Sequence, residues 1–304
     1  MSCLLTEAMS QFDQHLRVER NLSPSTREAY QFDLRKFAEY LANSKETEHL
    51  LFTVITTESI KEYLNYLQTH RQYKSTTLSR VIASIRVLCE FGVSQGLIEN
   101  NPAAYIHNPK LPKKLPIYLV DSELKKLLSA PDNSDVMGCR DFAILVTLGF
   151  TGMRRQELVG MDVSSVDLER RTILVMGKGS KERLIPMNDF VFNAINAYLE
   201  VRPATGDAKA VFLNRQGQRL TGRSIVNIVR KYVRKAGIGK EKISPHKLRH
   251  TFATLLHMND VDILEIKNLL GHSSITSTQI YTHTNSNKLR TAVDRLNQFA
   301  VPKP

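Results

Sequence analysis

Cysteine is scarce in this sequence. Cys3, Cys89 and Cys139 are the only three in 304 residues, too few and too scattered for a disulfide framework or a paired-cysteine metal site. No apolar run approaches the ~18 residues that cross a membrane. The N-terminal stretch MSCLLTEAMSQFDQH lacks the basic start and apolar core of a signal peptide. We therefore expect a cytoplasmic protein with no membrane partner.

Acidic residues are too few to balance the basic ones. There are 30 Asp and Glu against 42 Lys and Arg, which gives a net charge of +12. Residues 1–107 carry 11 basic and 12 acidic side chains, so the whole excess lies in residues 108–304, with 31 basic and 18 acidic. A basic surface favours a polyanionic partner. Nucleic acid is the first expectation, and an acidic membrane surface is the weaker one.

In the first hundred residues, apolar side chains recur at the spacing of an α-helix. Ser23 and Pro24 fit an N-cap followed by a first-turn proline. Three stripes of apolar residues then recur at helical spacing, which predicts a four-helix-type bundle over residues 1–107. The stripes consist of Tyr30, Leu34, Phe37 and Leu41; of Ile60, Tyr63, Leu64 and Leu67; and of Leu78, Ile82 and Ile85.

A proline-rich and lysine-rich segment follows at residues 108–116. Its three prolines can continue neither a helix nor a central strand, so we expect an extended linker between two domains. Lys113 and Lys114 would follow a DNA backbone if the linker wraps a duplex. A linker that is merely solvated fits the composition equally well.

Residues 117–304 predict an α+β domain that is mostly helical, with a small antiparallel sheet. Helices are expected near residues 121–130 and 140–150, and a β-hairpin over residues 172–187 whose glycine-rich turn carries Lys178. From Leu220 onward the pattern is helical again. It ends in an amphipathic helix with Leu289, Val293, Leu296 and Phe299 on one face.

One predicted helix, which begins at Ser244 and Pro245, has the outline of an anion site. His246, Arg249 and His250 stand at i, i+3 and i+4, so they share one face near the helix N-terminus, where free N–H groups favour negative charge. A solvated polar face is the equally simple interpretation. The two histidines have zinc-ligand spacing, but an adjacent arginine argues against a metal. The opposite, core face holds Leu248, Phe252, Leu255 and Leu256.

Three further residues are weak signals when each is taken alone. Gly271 is a typical residue to end a helix, and His272, which follows it, would ordinarily be a surface histidine. Tyr281 alone would be a packing tyrosine in a Ser- and Thr-rich stretch. Arg154 alone would be an arginine paired with Glu157 on a surface turn. Only the set is informative.

Taken in order, TGMRRQEL, GKGSKERLIP, HKLRHTFAT and LLGHSSITSTQIYTH resemble the motifs of the tyrosine recombinase and integrase family, most of all its Xer branch. The resemblance covers nearly the whole chain. It implies that residues 1–107 form a helical core-binding domain that clamps DNA, and that residues 117–304 form the catalytic domain. The catalytic residues that it implies are Arg154, Lys178, His246, Arg249, His272 and Tyr281.

The resemblance also implies a role for each residue. Tyr281 would be the nucleophile, His246 would accept its proton, and Lys178 would protonate the departing 5′-oxygen. Arg154 would neutralise the phosphate together with Arg249, in place of a metal ion, since guanidinium forks bind phosphate oxygens in pairs. His272 would hold a phosphate oxygen, and Glu157 would support Arg154. No cofactor is implied.

The implied partner is a double-stranded DNA recombination site. Strands would be exchanged through a 3′-phosphotyrosyl intermediate and a Holliday junction, by a tetramer of this chain or of this chain with a related recombinase, to resolve dimers of a chromosome, plasmid or transposon cointegrate. The C-terminal helix would dock on a neighbouring protomer or complete its own core. The predicted DNA contacts are Lys74, Arg80, Lys113, Lys114, Arg155 and Lys181.

Other functions fit parts of the same pattern. A phage- or transposon-type integrase, or an enzyme of the type IB topoisomerase kind, would use the same chemistry. A DNA-binding protein without catalysis would be expected to have replaced at least one of the six catalytic positions. None of the six is replaced in this chain.

Overall fold

The computed structural model describes residues 3–47, 49–110, 117–177, 182–203, 207, 209–240, 242–271, 290 and 293–298. The chain divides into two compact units, Met1–Lys114 and Leu115–Pro304, here called the N-terminal and C-terminal units. Helices dominate both units, and a small antiparallel sheet lies in the C-terminal one. The predicted fold class, mostly α with a small sheet, is confirmed.

The N-terminal unit is a bundle of helices around one apolar core. The helices are α1 Leu5–Val18, α2 Pro24–Lys45, α3 Thr57–Thr69 and α4 Ser75–Ser94. Ser23 caps α2 as predicted, because its hydroxyl accepts a hydrogen bond from the Thr26 amide at 3.4 Å. The three predicted stripes supply much of the core, which buries Leu34, Phe37, Leu41, Ile60, Tyr63, Leu67, Leu78, Ile82 and Ile85.

Two arginines of α4 are already engaged within the N-terminal unit. Nη1 of Arg80 lies 2.8 Å from Asp33, whose side chain is only 2% exposed. Burial raises the pKa of Asp33 to about 6, although the Arg80 charge opposes that rise. Arg86 donates a hydrogen bond to the Ile106 carbonyl at 2.6 Å. Lys74, just before α4, is exposed, whereas Arg80 is only partly so.

The C-terminal unit is built around one buried helix. Helix α6, Val136–Thr151, is buried at every position from Gly138 to Thr151; most of these positions are apolar, and Arg140 and Asp141 are charged. Four helices pack against it, and a fifth, short helix α7 follows it directly in the chain. The bounds are α5 Asp121–Leu128, α7 Arg155–Val159, α8 Asp189–Val201, α9 Gly222–Lys235 and α10 Pro245–Met258.

The sheet has three antiparallel strands in chain order. They are β1 Val166–Asp167, β2 Thr172–Met176 and β3 Glu182–Pro186, and β2 pairs with β3 through Leu174 opposite Leu184. The predicted hairpin is therefore present. Its turn, with Lys178 and Lys181, lies outside the described residues.

Two predicted helix ends can be compared with the structure. Helix α11, Ile263–Leu270, ends at Gly271 in the left-handed conformation (φ 61°), as predicted. Ser244 stands at the N-cap of α10 with Pro245 in the first turn, which confirms where the helix was predicted to begin, although the Ser244 side chain makes no capping hydrogen bond. The backbone turn and Pro245 begin the helix without it.

The C-terminal segment contributes to the core of its own unit. Val293 and Leu296 are buried among the apolar residues of the C-terminal unit. For these two positions the structure favours the reading in which the segment completes its own core. Leu289 and Phe299 lie outside the described residues. Among the helices that the structure describes, none has the length and apolarity needed to span a membrane.

Candidate active site

Two arginines that are far apart in the sequence converge on the C-terminal end of α11. Arg154, the residue before α7, donates from Nη2 to the Gly271 carbonyl at 2.9 Å. Arg249 of α10 donates from Nη2 to the Leu270 carbonyl at 2.5 Å. The free carbonyls at a helix C-terminus carry partial negative charge, so cations are favoured there. The two guanidinium groups are thus held by adjacent carbonyls.

Gly152 makes this convergence possible. It ends α6 in the left-handed conformation (φ 62°), and its carbonyl accepts a hydrogen bond from Nη1 of Arg249. A Cβ atom at this position would lie 2.4 Å from the Phe252 ring and 2.7 Å from Leu270. Backbone conformation and close packing therefore both require glycine here.

Glu157 is the buried carboxylate that links the arginines of this cluster. Its side chain is 4% exposed, and it accepts hydrogen bonds from Nη1 of Arg154 at 2.8 Å and from the Arg154 amide at 2.7 Å. Arg183 of β3 donates to both carboxylate oxygens at 2.7 and 2.8 Å. Burial alone would raise the pKa of Glu157, but these hydrogen bonds outweigh it and hold the pKa below its usual value. The expected contact between Glu157 and Arg154 is present.

Positive charge is in excess in this cluster. Among the described residues, three guanidinium groups surround the one carboxylate of Glu157. Burial lowers the pKa of Arg249 to about 10; the charge of Arg154 and, less strongly, that of Arg183 add to this, while Glu157 opposes it. Neighbouring guanidinium groups repel one another unless an anion lies between them. The arrangement suits an oxyanion such as phosphate.

Arg249 differs from the expectation in one respect. The helical spacing placed it on the face of α10 opposite the core, but the residue is only 5% exposed. Its guanidinium reaches between the ends of α6 and α11 to two carbonyls, which compensates for its burial. Arg154 remains more open, with its side chain 37% exposed.

Two of the three histidines of α10, His246 and His250, lie toward its N-terminal end. His246 is exposed and His250 is partly buried. Burial lowers the pKa of His250, and the nearby charges of Lys247 and His246 lower it further. Within the described ranges no three His, Cys, Asp or Glu side chains are arranged to hold a metal ion.

Several predicted site residues lie outside the described residues. His272 follows Gly271 directly in the chain, so its backbone nitrogen is bonded to the residue whose carbonyl binds Arg154. The roles of all these residues stay predictions. They are Lys178, His272 and Tyr281 of the catalytic set, and Lys113, Lys114 and Lys181 of the DNA contacts.

The sequence did not point to Arg183. It lies within the ERLIP part of a quoted motif, but its partner Glu157 stands 26 positions earlier in the chain. Spacing within one element cannot reveal a contact between a strand and a distant turn. The bulk of its guanidinium also lies against the Gly271 backbone, where a Cβ atom would come within 3.0 Å of Nη1.

A basic face on α9 was also missed. The helix has five basic residues and no acidic one, and its apolar residues at helical spacing form the buried side. That pattern was readable from the sequence. The N-terminus of α9 lies beside Arg155, because a Cβ atom on Gly222 would be 3.0 Å from Nε of Arg155. The exposed basic residues are Arg223, Arg230, Lys231, Arg234 and Lys235.

Known proteins resemble this chain over most of its length. The Phage integrase family matches residues 118–288, and its N-terminal SAM-like domain matches residues 9–96. Tyrosine recombinase XerC of Pelobacter propionicus is 36% identical over 308 residues, 99% of this chain and 98% of that protein. Tyrosine recombinase XerD of Staphylococcus epidermidis is 38% identical over 279 residues, 90% of this chain and 93% of that one.

A solved structure shares both fold and sequence with this chain. The XerH site-specific recombinase bound to its difH substrate, in a pre-cleavage complex, is 27% identical and gives a TM-score of 0.68. The similarity covers 93% of this chain and 83% of that one. The core site complex of lambda integrase residues 75–356 also gives 0.68, at 18% identity, and shows likeness of fold alone.

Proposed function

Because the chain belongs to the phage integrase family, as a tyrosine recombinase of the Xer type, we propose that it cleaves and rejoins DNA through a 3′-phosphotyrosyl intermediate. One observation carries the proposal most directly. Arg154 and Arg249 converge on the end of α11, immediately before His272 in the chain, with more positive charge than the nearby carboxylate neutralises. A scissile phosphate would supply the missing negative charge.

The proposed cleavage step is an in-line displacement at phosphorus. The phenol oxygen of Tyr281 bonds to the phosphorus as the bond to the 5′-oxygen breaks, and His246 accepts the phenol proton. Lys178 gives a proton to the departing oxygen, which leaves as a free hydroxyl. Arg154 and Arg249 stabilise the charge on the non-bridging oxygens, the chief requirement of phosphoryl transfer.

Rejoining reverses the same step with a different strand. The phosphotyrosine ester retains the energy of the broken bond, so the 5′-hydroxyl of a partner strand can displace Tyr281 without ATP. Two successive rounds make and resolve a Holliday junction. Exchange between two duplexes requires four active sites, which a tetramer of this chain, or of this chain with a related recombinase, would provide. We further propose that it resolves dimers of a chromosome, plasmid or transposon cointegrate.

The basic side of the C-terminal unit is the proposed DNA contact. The exposed basic face of α9 begins beside Arg155, next to Arg154 in the chain, so phosphates on either side of the cleavage point would lie along it. Such contacts give salt-dependent affinity and set the register of the duplex. Further contacts would come from Lys74, Lys113, Lys114 and Lys181, and residues 1–107 would form the clamp. Arg80 could contact DNA only after it breaks its ion pair with Asp33.

A suicide substrate tests the proposal. Footprinting first defines the bound site, and a duplex nicked close to the cleavage point is then incubated with the protein. Wild type should become covalently trapped on this duplex, and Tyr281→Phe should bind it without being trapped. Tyr105→Phe, at a tyrosine that is 87% exposed in the N-terminal unit, is the matched control and should behave as wild type. DNA linked to any residue other than Tyr281 would contradict the assignment.

A further inference from the structure

We propose that Arg183 is a positioning residue for this recombinase, which keeps Arg154 available to the scissile phosphate by binding Glu157 in its place. The inference rests on the proposed function and on the assignment of Arg154 within it. Arg183 belongs to β3, the strand that follows the Lys178 turn in the sequence. It therefore ties the sheet to the arginine cluster.

The hydrogen bonds divide Glu157 evenly between two arginines. Oε1 accepts from Nη1 of Arg183 at 2.7 Å and from Nη1 of Arg154 at 2.8 Å. Oε2 accepts from Nη2 of Arg183 at 2.8 Å and from the Arg154 amide at 2.7 Å. Arg183 thus makes the bidentate pair with Glu157, whereas Arg154 commits only one guanidinium nitrogen to it.

This sharing of Glu157 between two arginines leaves part of the Arg154 charge free to bind substrate. A carboxylate that is 4% exposed needs a counter-charge. Arg183 supplies one, so the positive charge of Arg154 remains for the substrate. Without Arg183, Arg154 would be the cation that still binds Glu157. Its guanidinium fork would then turn toward that carboxylate. The phosphate would then compete with Glu157 for the same donors.

Arg183 contacts both groups that hold Arg154. Besides Glu157 it packs against Gly271, whose carbonyl accepts a hydrogen bond from Arg154. The side chain of Arg183 is 17% exposed and both of its Nη atoms are bonded to Glu157, so it does not offer a fork to DNA. Its effect on the reaction is exerted through Arg154.

Substitution by lysine separates this role from simple stabilisation. Arg183→Lys keeps one charge but loses the planar fork, so it cannot form the two parallel N–H···O bonds that Arg183 makes to Glu157. The matched control is Arg219→Lys in the same unit, because Arg219 pairs with Asp162 at 2.5 Å, outside the arginine cluster. For each variant we would measure the single-turnover rate of covalent complex formation on the nicked duplex, the Kd for DNA and the Tm.

We expect a selective loss of rate. Arg183→Lys should slow covalent complex formation by about 10- to 100-fold, as small displacements of a catalytic group do, while Kd changes by less than about twofold. Arg219→Lys should keep the wild-type rate even if its Tm falls as far. In an Arg154→Lys background the further effect of Arg183→Lys should largely vanish, since both changes act on one interaction.

Other outcomes overturn the proposal. If Arg183→Lys is as fast as wild type, or if its effect is undiminished in the Arg154→Lys background, Arg183 does not act through Arg154. If Arg183→Lys fails to fold, the double variant Arg183→Gln/Glu157→Gln tests the idea, because it removes the carboxylate that would draw Arg154 away together with the cation that binds it. This variant should cleave within a few-fold of wild type, and a loss of about 10-fold or more would refute the proposal. A wild type that forms no covalent complex would instead refute the proposed function.

Discussion

The C-terminal unit contains two buried arginine–carboxylate clusters, which have the same chemical groups but differ in charge balance. In the first, Nη2 of Arg140 lies 2.6 Å from Asp141, and the two side chains are 10% and 3% exposed. The Tyr232 hydroxyl donates to the same carboxylate at 2.9 Å. Lys231 also approaches Asp141, but its side chain is 59% exposed and remains solvated. One buried cation therefore matches one buried anion.

The second cluster, around Glu157, is not matched. Arg183 and Arg249 are largely buried and Arg154 partly so, against a single carboxylate. A matched pair satisfies its own charges and fixes α6 to α9, whereas an unmatched one retains affinity for an anion. Charge balance, and not burial or residue type, therefore separates the structural cluster from the proposed catalytic one.

Breaking the matched cluster should have the largest effect on stability. Asp141→Asn leaves the buried Arg140 without its counter-charge, so we expect a loss of roughly 3–5 kcal/mol in the free energy of unfolding. Chemical denaturation followed by circular dichroism measures it. Well below the Tm of the variant, the cleavage rate of the folded fraction should equal that of wild type. A stable variant with slow cleavage would reverse the two assignments.

Breaking the unmatched cluster should do the opposite. Arg154→Ala removes one of three mutually repelling cations, so the Tm should stay level or rise slightly. Single-turnover cleavage should fall by about 10²–10³-fold, the usual loss when one donor to transition-state charge is removed. DNA binding should persist, because many other phosphate contacts remain. A parallel fall in Tm and in binding would make Arg154 a structural residue.

Local rules predicted most of the fold but not the balance of charges. The pair Ser23–Pro24 and the glycine at 271 fix helix ends through backbone chemistry that involves only near neighbours, so they were readable. The spacing of α10 brought Arg249 beside His246, but it did not reveal that the arginine is buried against the ends of two other helices. Burial of a charged group depends on tertiary partners.

Dependence on tertiary contacts also explains why Arg183 was not predicted as part of the site. Arg183 was within a quoted motif, yet its pairing with Glu157 depends on how β3 packs against the turn before α7. The basic face of α9 was a different kind of omission. Its five basic residues without an acidic one are visible in the sequence and needed only a helical projection.

A third buried arginine–carboxylate pair, in the N-terminal unit, is expected to respond to pH. Asp33 is buried beside a half-exposed Arg80, and its pKa of about 6 lies above the ~3.9 of an unfolded aspartate. A raised carboxyl pKa means that this group adds stability at low pH and that the gain is lost as pH rises through 6. Here the single partner does not fully compensate for burial.

We therefore expect stability of the N-terminal unit to depend on Asp33 between pH 4 and 7. Relative to Asp33→Asn, wild type should gain on the order of 5 °C in Tm from pH 7 to pH 5. Hydrogen exchange of the α2 and α4 amides would follow this unit specifically. A difference between the two proteins that stays constant over this range would mean that Asp33 titrates normally.

If the protein works as proposed, the unmatched guanidinium groups neutralise charge on the scissile phosphate. A suicide substrate with a neutral methylphosphonate at the cleavage point tests it directly, because the missing oxygen charge removes the need for one arginine. Arg154→Ala should recover much of its lost cleavage on this substrate relative to wild type. Equal impairment of Arg154→Ala on the phosphate and methylphosphonate substrates would show that Arg154 does not neutralise that charge.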